Sequence, residues 1–89
     1  MRTVHAVFSG IVQGVGFRAH FYRTALRYGI KGWVRNIEDG SVEAMLQGSE
    51  DKVKGCLDAI RSSPGRAVIS EVRVETVDME EYTDFMVVP

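Results

Sequence analysis

At 89 residues, with 26% charged residues and a formal net charge of −1, the chain has material for one modest core and is expected to form a single domain over residues 1–89. A balance so close to neutral excludes a general attraction to nucleic acid or acidic membranes, so any anion must be held by local charge. The lone cysteine, Cys56, cannot close an internal disulfide, and no apolar run approaches the roughly 20 residues of a membrane span or the flanks of a signal peptide, which makes a cytoplasmic location the expectation.

In chain order, Thr3 to Ser9 is rich in Val, Phe and small residues and reads as a short buried strand. A glycine-rich stretch, Gly10 to Arg18, leads into an amphipathic helix. On that helix Phe21, Tyr22, Ala25, Leu26 and Gly29 fall on one side, while His20, Arg23, Thr24 and Arg27 fall on the other. Gly29 is placed to cap its C-terminus. Ile30 to Ile37 reads as a second strand, and Glu38-Asp39-Gly40 turns it into a third over Ser41 to Gln47, where Val42, Ala44 and Leu46 alternate. Asn36 therefore sits at the end of the second strand.

Ser49 is a suitable N-cap, Glu50 and Asp51 suit the positive end of a helix, and Val53, Cys56, Leu57 and Ile60 form its apolar stripe. Ser62-Ser63-Pro64-Gly65 ends it. Val72, Val74 and Thr76 then alternate with Arg73, Glu75 and Val77 as a fourth strand, and the opposite phase of Ala67 and Ile69 predicts a bulge near Ser70. Asp78 to Asp84 is a polar loop, and Phe85 to Val88 a short closing strand. The order strand-helix-strand-strand-helix-strand predicts an α+β fold: a ferredoxin-like βαββαβ sandwich, an antiparallel sheet with two helices on one face and a short extra C-terminal strand.

The chemistry concentrates in the stretch Gly10-Ile11-Val12-Gln13-Gly14-Val15-Gly16-Phe17-Arg18. Glycines at 10, 14 and 16 let the backbone take positive φ and aim successive N–H groups at one point, the geometry of an anion site, and the following helix adds its own unpaired N–H groups. Arg18 adds a planar charged fork able to grip two phosphate oxygens. Read alone, such a loop is as readily a tight strand-to-helix connection, Arg18 a solvated helix-start residue and Asn36 a turn former. Trp33 and Phe17 read as packing residues and Cys56 as a small buried hydrophobe. His5 and His20 stand alone, with no partner at metal-ligand spacing. Arg23, Arg27 and Arg35 read as solvated rather than as a basic flank to the pocket.

The run Gly10, Val12, Gln13, Gly14, Val15, Gly16, Phe17, Arg18 resembles the signature of the acylphosphatase family. A second run, Gly32-Trp33-Val34-Arg35-Asn36 followed by Gly40, Val42 and Gly48, stands at the spacings of that family's other motif. The resemblance covers nearly the whole chain, including Pro64 to Val72. Ile11 departs from it, since many members carry a polar or basic residue there. It implies hydrolysis of the carboxyl–phosphate bond, with Arg18 and Asn36 as the catalytic pair. The phosphate would be held by the loop Gln13, Gly14, Val15, Gly16, Phe17, Arg18, and water oriented by Asn36. It further implies that the substrate's own phosphate takes the water proton, with no cofactor and no metal. The partners expected are a small-molecule acyl phosphate and inorganic phosphate as product and inhibitor, with no nucleic acid, no membrane, and a monomeric protein.

Two rivals belong to other classes. One is a non-catalytic anion-binding or regulatory relative, as similar domains are within hydrogenase-maturation carbamoyltransferases, although a chain of this length argues for a stand-alone enzyme. The other is an RNA-binding ferredoxin-like module, which would need aromatics on the third strand; Ser41 to Gln47 has none.

Overall fold

The structure, a computed structural model, describes residues 1–89. Seven elements follow in order: β1 (Arg2–Ile11), α1 (Phe17–Arg27), β2 (Lys31–Asn36), β3 (Val42–Gly48), α2 (Glu50–Ser62), β4 (Val68–Thr76) and β5 (Phe85–Val87). The strands form one sheet in the order β4-β1-β3-β2-β5. Neighbouring strands among the first four pair antiparallel, as expected, but β5 pairs parallel to β2, from Gly32–Phe85 to Val34–Val87, so the sheet is mixed. The reason is topological: after β4 on one edge, the 77–84 segment carries the chain across to the other edge, where β5 runs alongside β2. Buried Gln47 fastens that crossing, its Nε2 donating to the Glu80 carbonyl and its Oε1 accepting from the Tyr82 N–H.

The period of the strands decides which face is dry. Val4, Ala6 and Phe8 of β1, Val34 of β2, and Val42, Ala44 and Leu46 of β3 are all buried on the side that the helices cover. Phe8, Phe17 and Phe21 meet edge to face with centroids 5.4 to 5.9 Å apart, and Phe85 stacks on Phe21. Such contacts contribute about 0.5–1.5 kcal/mol per pair beyond the burial itself. From α2 come Val53, Cys56, Leu57 and Ile60, the stripe read from the sequence. Burial pushes the Cys56 thiol up to about 12, so at neutral pH it is an apolar core group and no nucleophile.

On α1 the stripe is rotated from the expected one. Phe17, Phe21, Thr24 and Ala25 are buried, whereas Leu26 is exposed. Phe17 is the reason: it lies inside the helix and core, so the buried face runs 17-21-24-25. Thr24 tolerates burial because its hydroxyl donates to the His20 carbonyl at 3.0 Å. The helix closes with N–H bonds from Gly29 to the Leu26 carbonyl and from Ile30 to the Ala25 carbonyl, a Schellman end at the expected place.

β1 extends past Ser9, and Gly10 belongs to the sheet and not to the loop. It pairs with Ile69, while Ser9 pairs with Glu71, leaving Ser70 as the unpaired bulge residue. A Cβ on Gly10 would lie 2.2 Å from the Val68 carbonyl oxygen, so this glycine serves the close approach of β4. β4 accordingly begins at Val68, earlier than the alternation alone indicated. β2 is one residue shorter at each end than expected, because Ile30 is spent on the helix end and Ile37 on the turn.

On the open face, His5 Nε2 donates to Glu43 Oε2 at 2.7 Å, and Arg35 pairs with the other oxygen of Glu43 while its guanidinium lies 5.2 Å over the Trp33 ring. His5 is thus not solitary: pairing across strands supplies a carboxylate that sequence spacing did not reveal. Burial works to raise the Glu43 pKa, but the hydrogen bonds and charge of His5 and Arg35 outweigh it and hold the carboxyl below the ordinary glutamate range. A depressed folded-state pKa contributes stability above the unfolded value, roughly 4.3, that is lost as pH falls through the folded one. Thermal melts should therefore show Glu43→Gln less stable than wild type at pH 7, with the gap closing below about pH 4. A gap as wide at pH 3 as at pH 7 would contradict this origin.

Candidate active site

Five residues, 12 to 16, carry the chain from the end of β1 to the start of α1. Gly14 and Gly16 take left-handed backbone, with φ of 75° and 76°. A Cβ at either would meet nothing within 4 Å, so glycine is required there by conformation and not by space; another L residue would be strained by roughly 1–2 kcal/mol. The turn leaves the N–H groups of Gln13, Gly14, Val15 and Gly16 without a protein acceptor. Gly16 also occupies the N-cap of α1 and offers no side-chain oxygen, so the first turn adds its own unpaired donors and the positive end of the helix. Phe17, buried in the aromatic cluster, pins that helix end to the core.

Beside this concavity lies an open cavity of about 280 Å³ lined by Val12, Gly14, Gly16, Phe17, Arg18, Ala19, Asn36 and Val87. Arg18 and Asn36, which lie 18 positions apart in the chain, face one space; Gln13 and Val15 belong to the loop but not to that lining. Arg18 is the single charge in the lining. Its Nη1 donates to the Val88 carbonyl at 3.1 Å, and the Val88 N–H in turn donates to the Val34 carbonyl at 2.9 Å. The C-terminal segment thus aims the guanidinium, a role for Val87-Val88-Pro89 that sequence reasoning missed. No local signal carried it, since the contact spans 70 residues and uses a backbone atom.

Asn36 closes β2 in register with Val42, on the same sheet face as buried Val34, which turns its side chain toward the helix side and the loop. Its Oδ1 is buried and has no hydrogen-bond partner, the one such side-chain atom in the protein. A buried acceptor left unpaired costs about 1–3 kcal/mol, and atoms that persist at this cost mark places where a ligand or water supplies the missing donor. The turn after Asn36 is held by Asp39, whose Oδ1 accepts from the hydroxyl and the N–H of Ser41; those two bonds lower the Asp39 pKa. Arg35 is committed to Glu43 and Trp33 on the open face, so it does not flank the cavity. No group of three or more His, Cys, Asp or Glu side chains gathers where it could hold a metal ion, and no helix is long and apolar enough to cross a membrane.

An α+β sandwich with a glycine loop, a helix N-terminus and an arginine converging on a small open cavity presents the donor set that an anion such as phosphate fits. The acylphosphatase family model matches residues 4–87. The chain is 40% identical over 88 residues to an acylphosphatase of Syntrophus aciditrophicus, covering 98% of this chain and 92% of that one. It is 47% identical over 75 residues to an acylphosphatase of Alcanivorax borkumensis, covering 84% and 82%. The crystal structure of acylphosphatase from Bacillus subtilis superposes with a TM-score of 0.95 at 28% identity, covering all of both chains. The chain belongs to the acylphosphatase family, and its activity is that of a hydrolase acting on small-molecule acyl phosphates.

Proposed function

We propose that residues 1–89 act as one catalytic domain in which the 13–18 loop and Arg18 hold the substrate phosphoryl group and Asn36 orients the attacking water. One observation carries this reading: Gly14 and Gly16, whose N–H groups have no protein acceptor, Arg18, and Asn36, whose Oδ1 has no protein partner, line one cavity. An acyl phosphate is a mixed anhydride with a good leaving group, so positioning and charge stabilisation suffice and no strong nucleophile is required. The donors of Gln13, Gly14, Val15, Gly16, Phe17 and Arg18 face the equatorial oxygens, whose charge they stabilise as the bond to the carboxylate breaks. Asn36 Oδ1 accepts a hydrogen bond from the water, setting its lone pair in line with the departing carboxylate. The lining holds no carboxylate, histidine or thiol, which supports a substrate phosphate oxygen as acceptor of the water proton. The products are a carboxylate and inorganic phosphate, the latter competing with substrate for the same cradle. In this reading the protein is a cytoplasmic monomer that engages neither nucleic acid nor membrane and uses no cofactor.

The test is hydrolysis of benzoyl phosphate by the purified chain with a chelator present. Turnover is expected, inhibited competitively by inorganic phosphate. A chain that binds phosphate but does not turn over would instead be an anion-binding or regulatory relative, and the catalytic reading would fall.

A further inference from the structure

Gln13 begins the phosphate-facing loop, yet its side chain turns away from the cavity. Its Nε2 donates to the carbonyl of Ile37 at 2.7 Å and to that of Ser41 at 2.8 Å. Both protons of the amide are therefore used on the two ends of the β2–β3 turn, a planar two-point clamp. Ile37 follows Asn36 directly, so the clamp grips the backbone that carries the water-orienting side chain. These are the only hydrogen bonds between residues 12–16 and the turn. Val12 is buried in the core and Val15 packs against it, but the surroundings of the two left-handed glycines, Gly14 and Gly16, are open, so the Gln13 clamp is the one hydrogen-bonded tie that fixes this part of the loop relative to Asn36.

We propose that the Gln13 carboxamide is a positioning residue: it sets the separation between the phosphate cradle and Asn36, and with it the line from the attacking water to phosphorus. This rests on the assignment of water orientation to Asn36 made above. In-line attack tolerates little error, a misplacement of about 1 Å costing on the order of 10²-fold in rate. Loss of the clamp should therefore act on turnover and spare the binding of phosphate, which the loop N–H groups and Arg18 accomplish by themselves.

The experiment is benzoyl phosphate kinetics on the full chain carrying Gln13→Met, Asn36→Ala and both, with inorganic phosphate as competitive inhibitor. Methionine keeps the length of the side chain and removes the donors. Gln13→Met is expected to lower kcat about tenfold to a hundredfold. It should leave the phosphate inhibition constant within about twofold, and lower the residual rate of Asn36→Ala by no more than about twofold, since no water acceptor remains to be misplaced. Native kcat, a phosphate constant that rises as kcat falls, or an equal loss in both backgrounds overturns the proposal. Where Gln13→Met does not fold, Gln13→Asn, which withdraws the carboxamide by one methylene, carries the same expectations. Native turnover by Asn36→Ala overturns the underlying site reading and this proposal with it, whereas the other failures leave that reading standing.

Discussion

Arg18→Lys is expected to lose substrate turnover almost as completely as Arg18→Ala, with both variants weakened in phosphate binding. Lysine preserves the charge, so a purely coulombic role would be rescued. The structure asks for more than charge. Arg18 spends Nη1 on the Val88 carbonyl, and a guanidinium has further N–H groups in a fixed plane to present to the phosphoryl oxygens at the same time. An ammonium group is a single point that must either take the Val88 carbonyl or reach the phosphate. Because the lining contains no second cation, nothing nearby compensates. Truncation to alanine should cost about 3–5 kcal/mol of transition-state stabilisation, roughly a hundredfold to several thousandfold in kcat/KM. The lysine variant should recover less than about tenfold of that. Steady-state kinetics and phosphate inhibition of the two variants decide it, and near-native kinetics in Arg18→Lys would remove Arg18 from its assigned role.

What the sequence made legible divides along physical lines. Local rules succeeded where the determining interaction is local: the Ser49 cap and the α2 stripe, the Gly29 helix end, the Asp39-Gly40 turn and the bulge at Ser70 all depend on residues within a few positions of one another. The position of Asn36 at the end of a strand followed from the same rules, and the motif resemblance joined it to Arg18. The failures are long-range. Whether Gly10 belonged to the loop or the sheet was decided by β4, nearly sixty residues away. The buried face of α1 was decided by Phe8 on β1 drawing Phe17 into the core, which exchanged Thr24 for Leu26. The parallel pairing of β5, and through it the Val88 carbonyl that steadies Arg18, left no periodic signal in a three-residue strand. That Arg18 and Asn36 would meet was readable from the motifs; the backbone atoms that hold Arg18 in place were not.

Asn36→Ala is expected to separate activity from both binding and stability. If Oδ1 holds the attacking water, its removal leaves the phosphate cradle intact, because the loop N–H groups and Arg18 are contributed by other elements. Turnover should fall by about 10²- to 10³-fold while the inhibition constant of inorganic phosphate stays within about twofold. Stability should hardly move. The Asn36 side chain makes no hydrogen bond to the protein, and water that pairs with Oδ1 offsets its burial, so alanine costs the fold only a small loss of packing. A change of under about 1 kcal/mol would move the melting temperature by less than about 8 °C in a domain of this size. Loss of turnover at near-native stability is the mark of a residue retained for chemistry and not for the fold. Calorimetry and phosphate titration on the one variant test both halves. A melting temperature lowered by more than this would mean that Asn36 serves the turn, and weakened phosphate binding would move it from the water into the cradle.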